Sequence, residues 1–392
     1  MKGLARFHFP TEILFGAGGL PKLGEETVAL GLRRPLLMSD PGVARAGWVD
    51  SAVSHLTKAG GEPVVFASIR SNPGQADCDA AVALCESHAC DGLVALGGGS
   101  VIDCAKGTGA LLALRRAGTP ASLAELDCMA GGRDRMPRAL PPLIAVATTP
   151  GTGSEISRAA LLQLESPPRK VMLLSRALIP ALAILDPQLC GSCPDALLAG
   201  TGMDALSHAL EVYLAPKFHP PVDALALAAL GQVARALPKA YSCNRGSPDR
   251  IDALSELMMG SMMAAMGFDK GVGLVHCLSH PLSALFGVHH GTANAVLLPT
   301  TLAFTAAAGK SAQRLAELGA VFAGAGLPAD PIAAVVELNR TLHMPTTLSA
   351  LGVTANRLGE AAALAVADPC RLTATARFRA ADAEAMYKCC LG

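Results

Sequence analysis

The chain is short of charge. Only 16% of its 392 residues are Asp, Glu, Lys or Arg, against 51% hydrophobic, and 32 Lys plus Arg balance 32 Asp plus Glu. So little charge leaves scant room for disordered tails, and a zero balance excludes the basic footprint of a nucleic-acid partner. The length suffices for two domains and a well-buried core. The opening "MKGLARFHFPTEILFG" carries charges but lacks an apolar run of signal-peptide length, which points to a cytoplasmic protein. Without a secretory signal, the twelve irregularly spaced cysteines read as reduced thiols rather than a disulfide framework. Cys190 and Cys193 have CxxC spacing but no second CxxC to partner them, so a structural or incidental role is expected. Internal repeats and low-complexity linkers are missing as well.

The most informative absence lies between Gly271 and Gly309, where there is no Asp, Glu, Lys or Arg at all. Length alone would allow a membrane span. Pro281, Pro299, Asn294 and the histidines His276, His280, His289 and His290 argue instead for a buried core, with no membrane partner. Buried imidazoles are expected to be neutral, each with a lone pair that needs a proton or a metal.

What is present divides the chain. Short apolar runs punctuate the first half: "ILF", "PLLMS", "PVVFA", "GLVALG", "LIAVATT" and "LAIL", with helical spacing between most of them. That alternation predicts an α/β domain, residues 1–186, with a parallel sheet and helices on both faces. After Asp186-Pro187 the strand signals largely stop, and 3.6-residue periodicity predicts an all-helical domain, residues 187–392. Thr354 and Asp382 are expected to start the last two helices.

Asp204 and His208 are four apart in "GTGMDALSHALE", the spacing by which one helix face can grip an ion. His276 and His280 repeat it, and His290 follows beside Gly291, where a turn can swing it back. One carboxylate with several neutral imidazoles suits iron(II) or zinc and is poor for calcium or magnesium. Four histidines and an aspartate exceed four ligands, so one residue is expected to orient a ligand or relay protons instead. In the first domain an apolar strand runs into Gly97-Gly98-Gly99-Ser100 and then a helical pattern, the way pyrophosphates are held. A second strand ends in the hydroxyls and glycines of Thr148 to Ser154, and two such loops predict a nucleotide crevice. "FGAGGLPKLG" fails as a dinucleotide fingerprint because Pro21 stands where the third glycine belongs. Asp40, at the end of "PLLMSD", sits where an acid hydrogen-bonds the ribose hydroxyls of NAD and repels the extra phosphate of NADP.

In this order and spacing, "GGGSVIDCAK", "TTPGTGSE", "DPQL", "TGMDALSHALE" and "GLVHCLSHPL…HHGTANAVLLP" resemble the iron-dependent alcohol dehydrogenases, the family of lactaldehyde reductase and propanediol dehydrogenase. The resemblance runs from about Phe7 to Ala385. It implies a dehydroquinate synthase-like architecture and an NAD-dependent enzyme acting on the CH–OH group of small alcohols or their aldehydes; a homodimer is expected, and Lys270 makes a short hydroxy acid or semialdehyde the alternative substrate. It implies that Asp204, His208, His276 and His290 hold iron(II), with zinc as the other option, and that His280 stands near the substrate as the catalytic residue. It also implies that the glycine turn with Asn72, Thr148, Thr149, Thr152 and Lys170 lines the cofactor. His289 has no family role and is expected to be structural. Glu211 is left between supporting the metal site and facing solvent.

Two departures stand out. "CRLTATARFR" replaces the family's Asn-Pro-Arg element, which puts the substrate loop in doubt, and Lys270 stands where many relatives have a neutral residue. Lys270 is expected to be solvated or, alternatively, to serve as a cation for an acidic substrate tail. The rivals are a lyase of the dehydroquinate synthase type, which would show no net NADH turnover, a metal-dependent hydrolase, and a metal-storage or scaffold protein. The last two would leave the nucleotide crevice unexplained.

Overall fold

The computed structural model describes residues 11–309 and 311–392. The first ten residues, on which much of the leader reading and the start of the resemblance at Phe7 fall, lie outside them. The apolar runs become strands β1 (Glu12–Phe15), β2 (Pro35–Met38), β3 (Val64–Phe66), β4 (Gly92–Gly97), β5 (Leu143–Ala147) and β8 (Leu182–Leu185). All six pair in parallel in the order β1-β8-β5-β4-β2-β3. β2, β4, β5 and β8 are buried along their whole length, which is why they are apolar without alternation. Their register sets Val94 between Leu37 and Ile144. These residues share a core with Leu20, Leu23 and Leu56 from helical segments that cover the sheet.

From β2 the chain steps to β3 on one side and to β4 on the other. The order therefore reverses between β2 and β4, and the crevice at the carboxyl ends there is where such sheets take ligands. Asp40 follows β2 and the glycine turn follows β4.

One element escaped the sequence reading. β6 (Ala159–Glu165) and β7 (Pro168–Leu174) form an antiparallel hairpin outside the main sheet, with Gln163 opposite Lys170. Leu, Gln, Arg and Lys dominate it, and only Val171 is β-branched, so neither composition nor periodicity marks it as a strand pair.

By its contacts the chain separates into two units. One contains the sheet and continues through Ser154–Cys193; the other comprises Pro150–Gly153 and Pro194–Gly392. In the second unit the uncharged stretch becomes two helices, Leu274–Phe286 and His290–Ala307, with Gly287 in the left-handed region (φ 69°) ending the first. No described helix is long and apolar enough to cross a membrane. The final helices run Leu358–Ala367 and Ala380–Leu391. Thr354 introduces a single 3-10 turn before the first, and Asp382 lies inside the second, where its carboxylate accepts from Arg379 N at 2.8 Å. Both starts therefore differ from those expected.

Candidate active site

The helix Asp195–Leu214 carries Asp204 and His208, the helix Leu274–Phe286 carries His276 and His280, and His290 is the first residue of the next helix. Three of the four imidazoles, those of His208, His276 and His290, converge on one oxygen of Asp204. Asp204 Oδ1 lies 3.5 Å from His208 Nε2, 3.6 Å from His276 Nε2 and 3.5 Å from His290 Nε2. The donor atoms of Asp204, His276 and His290 all lie within 4.8 Å of one another. His208 shares the Asp204 oxygen but stands outside that tight group.

Each ring is turned by a partner on its other nitrogen. His276 Nδ1 is 2.6 Å from Glu211 Oε2, His208 Nδ1 is 3.2 Å from the Gly151 carbonyl, and His290 Nδ1 is 3.1 Å from Ser279 Oγ. Glu211 is itself fixed, accepting from the backbone N–H groups of Gly273 and Val275 at 2.7 Å each. It is buried and supports the site instead of facing solvent. Gly151 can come so close because it has no side chain: a Cβ there would lie 2.3 Å from the Thr201 carbonyl.

The electrostatics favour a cation. Burial raises the Asp204 carboxyl, yet His208, His290 and His276 outweigh it and hold it far below the usual carboxylate range. Burial pushes His208 down to about 4 and His290 well below its ordinary value, so both present neutral lone pairs. At His276 burial also works downward, but Asp204 and Glu211 outweigh it and raise the ring to about 9. Two carboxylates thus keep a place for positive charge that a proton or an ion can fill. His276 Nε2 is buried without a hydrogen-bond partner. With metal–ligand bonds of about 2.1 Å, tetrahedral neighbours sit about 3.4 Å apart, which the three separations from Asp204 Oδ1 approach. The residues present fit a divalent ion of the iron or zinc type.

Three neighbours were invisible in sequence. Asn294 donates to Asp204 Oδ1 at 2.8 Å, and its amide nitrogen lies 3.2 Å from His290 Nε2. Ser279 supports His290. Asp368 takes His280 Nδ1 at 2.7 Å and lies 88 positions away, with only an Asp-Pro turn signature to mark it. His280 itself stacks on His290, ring centroids 5.0 Å apart. His289 plays the structural part expected, accepting from Thr292 N at 3.3 Å as the helix cap.

Lys270 requires a correction. It is fully buried, donating to the Tyr213 carbonyl at 2.8 Å and to Asp223, which also pairs with Arg314 at 3.0 Å. It is neither solvated nor free to meet a substrate carboxylate, because the turn Met266–Asp269 delivers it into that ion-pair network.

In the sheet unit, β4 ends at Gly97, and Gly98 caps the helix Gly99–Arg116, so Ser100 and the free N–H groups of the first turn stand at the sheet's carboxyl edge. A Cβ on Gly98 would come within 3.1 Å of Thr149 Oγ1, which keeps this approach for glycine. Thr148 N bonds the Gly97 carbonyl at 3.1 Å, joining the two loops. Lys170 Nζ donates to Asn72 Oδ1 at 2.7 Å. Asp40 Oδ1 accepts from Gly42 N and Val43 N at 2.7 and 3.0 Å, capping the short helix after β2. Thr152 belongs by its contacts to the helical unit.

Residues 10–187 match the family described as iron-containing alcohol dehydrogenase, and residues 198–391 its carboxy-terminal domain. The chain is 39% identical over 398 residues to a 4-hydroxybutyrate dehydrogenase of Cupriavidus necator, covering 98% of this chain and 99% of that one. It resembles the crystal structure of a 1,3-propanediol oxidoreductase with a TM-score of 0.88 at 30% identity, covering 98% of this chain and 100% of the other. It also resembles a sulfoacetaldehyde reductase from Bifidobacterium kashiwanohense in complex with NAD+, with a TM-score of 0.82 at 27% identity over 99% of each chain.

Proposed function

Because the chain belongs to the iron-containing alcohol dehydrogenase family, we propose that Asp204, His208, His276 and His290 hold its divalent ion and that the loops after β2, β4 and β5 hold its nucleotide. The enzyme is a metal-dependent oxidoreductase that transfers a hydride between an alcohol, or its aldehyde or ketone, and NAD(H). Bound at this centre, iron supplies Lewis-acid polarisation of the substrate oxygen, while NAD(H) takes up or returns the hydride.

The residues divide the remaining tasks. Asp204 contributes the anionic donor; His208 and His290 contribute neutral lone pairs; Glu211 aims His276. His280 holds or passes the proton of the substrate oxygen at Nε2, since Nδ1 is committed to Asp368. The turn from Gly97 to Ser100, with Thr148, Thr149, Thr152, Asn72 and Lys170, lines the nucleotide. Asp40 selects NAD over NADP. The sheet unit, which by its contacts runs on to Cys193 instead of ending at the expected residue 186 and leaves Pro150–Gly153 to the other unit, is then the dinucleotide-binding domain, and the unit from Pro194 to Gly392 the metal and substrate domain.

The observation that carries this reading is the convergence of three imidazole Nε2 atoms on one carboxylate oxygen, with a buried nitrogen left unpartnered. For substrates we propose short primary alcohols, with short hydroxy acids and their semialdehydes as the second class, favoured by the name of the 39% identical relative. A cytoplasmic setting is part of the same proposal, because twelve irregularly spaced cysteines suit a reducing compartment. A homodimer is the assembly we propose on the family resemblance alone, and sedimentation would check it.

The test is metal analysis of protein purified without oxygen, combined with an NADH-absorbance screen over alcohols, aldehydes and hydroxy acids. Stoichiometric iron and turnover with a short alcohol or hydroxy acid are expected. Metal-free protein that turns over at the full rate would remove the centre from the reaction.

A further inference from the structure

His280 is held from one side only. Its Nδ1 lies 2.7 Å from Asp368 Oδ2, and the two side chains are 6% and 8% exposed. Its ring packs against His290, with centroids 5.0 Å apart, and edge-on to His276 at 6.0 Å. The second oxygen of Asp368 is engaged as well: Oδ1 accepts from Cys370 N at 2.8 Å, capping the 3-10 turn Pro369–Leu372. With one oxygen pinned to the backbone, the carboxylate presents the other to the imidazole in a fixed direction.

This arrangement decides more than orientation. A neutral imidazole has one donor and one acceptor nitrogen, and an ionised carboxylate can only accept. The hydrogen is therefore held on Nδ1, and Nε2 is left with the lone pair. The hydrogen bond that fixes the ring is the one at Nδ1. Without Asp368, either tautomer would be open to the ring, and its orientation would rest on packing against His290 and His276 alone.

We propose that Asp368 is a positioning residue for the reaction, fixing His280 in the Nδ1–H tautomer so that the lone pair of Nε2 is available at the substrate oxygen. The inference rests on the reading of His280 as the group that handles that proton.

Asp368→Asn separates the two duties of the carboxylate. The amide keeps an oxygen for Cys370 N, so the cap survives, but it turns an NH2 donor toward His280 Nδ1. That forces the hydrogen onto Nε2. A residue that only capped the turn would tolerate the change. A residue that sets the tautomer would not: we expect kcat to fall about a hundredfold or more, as when the aspartate behind a catalytic imidazole is replaced by its amide. KM for NAD, iron content and Tm should stay at wild-type values. Asp368→Glu, which restores an acceptor, should recover part of the rate.

The control is His280→Ala, alone and combined with Asp368→Asn. If Asp368 acts through His280, the double variant is no slower than His280→Ala by itself. Losses that multiply, or an Asp368→Asn enzyme within twofold of wild type while His280→Ala is crippled, overturn the positioning role and leave His280 in place. An unimpaired His280→Ala enzyme overturns both readings.

Discussion

The sheet unit and the helical unit both bury charge, but they complete it differently. In the sheet unit, Lys106 is fully buried and donates to the carbonyls of Ser154, Ser157 and Ala159 at 2.6, 2.7 and 2.8 Å. Nearby Asp103 accepts from Ser154 Oγ and from Leu161 N. The chain supplies every partner these charges need. In the helical unit, Asp204 faces three imidazoles whose outer nitrogens are all committed, and His276 Nε2 is left buried and unpaired. An unsatisfied buried polar atom is costly, and one that lies 3.6 Å from a carboxylate oxygen shared with two further imidazoles marks a place where a ligand can complete the structure. A closed network such as that around Lys106 is scaffold.

The strongest way to break this contrast is at the open end. His276→Ala removes a proposed ligand, so the loss in kcat should be at least about a thousandfold, larger than the 10²–10⁴-fold range's lower end for a single acid–base group. Iron content should fall with it, while far-UV circular dichroism stays unchanged. Chelation of wild type should mimic the variant. Wild-type rates in metal-free protein would mean that the open nitrogen does not mark a ligand.

At the nucleotide loops the contrast predicts selectivity without instability. Asp40 would face the extra phosphate of NADP, and like charges near 4 Å repel by about 4 kcal/mol even at an effective dielectric of about 20. NAD should therefore be preferred by roughly a hundredfold or more. Asp40→Gly should erase most of that preference. Its cap on the helix after β2 is lost, but Gly at such a position costs only a few tenths of a kcal/mol. Equal kcat/KM for the two cofactors in wild type would remove Asp40 from the cofactor site.

Glu211→Gln is a milder break. The amide keeps one acceptor oxygen for backbone N–H groups but weakens the hold on His276, and changes of this kind typically cost about 10–100-fold in metal affinity. Competition with a chelator of known affinity measures it. Unchanged affinity would mean that the ring is held by packing alone.

How much of this was legible in the sequence follows from the range of the interactions. The six sheet strands, the glycine turn and the Asp204/His208 and His276/His280 pairs are local patterns, readable from periodicity, spacing and the missing charge between Gly271 and Gly309. Asp368 and Asn294 were not legible, because what makes them matter is a partner 88 or 90 positions away. Lys270 was misread for the same reason: nothing near it announces Asp223, 47 positions off, as its ion-pair partner. The hairpin β6–β7 was missed because its residues satisfy helix and strand patterns about equally.

The smallest expected effect lies in the closed network and touches stability alone. Glu155 is buried beside Lys106 and Asp103, and burial lifts its carboxyl from 4.5 to about 7, against the pull of its own backbone N–H and of Lys106. A folded-state value above the unfolded one means that the native protein binds this proton more tightly. The stabilisation is therefore complete below pH 4.5 and is lost as the pH rises through about 7. At about 1.4 kcal/mol per pH unit the loss amounts to roughly 3 kcal/mol, a few degrees in apparent Tm for a chain of this size. Glu155→Gln keeps the shape and cannot ionise, so its Tm should change less than that of wild type between pH 5 and 8, while iron content is unaltered. If the two profiles run parallel, Glu155 does not titrate in this window, and its neighbours meet its charge more fully than burial opposes it. A loss of iron in Glu155→Gln would do more damage, because the sheet unit's network could then no longer be treated as scaffold independent of the metal centre.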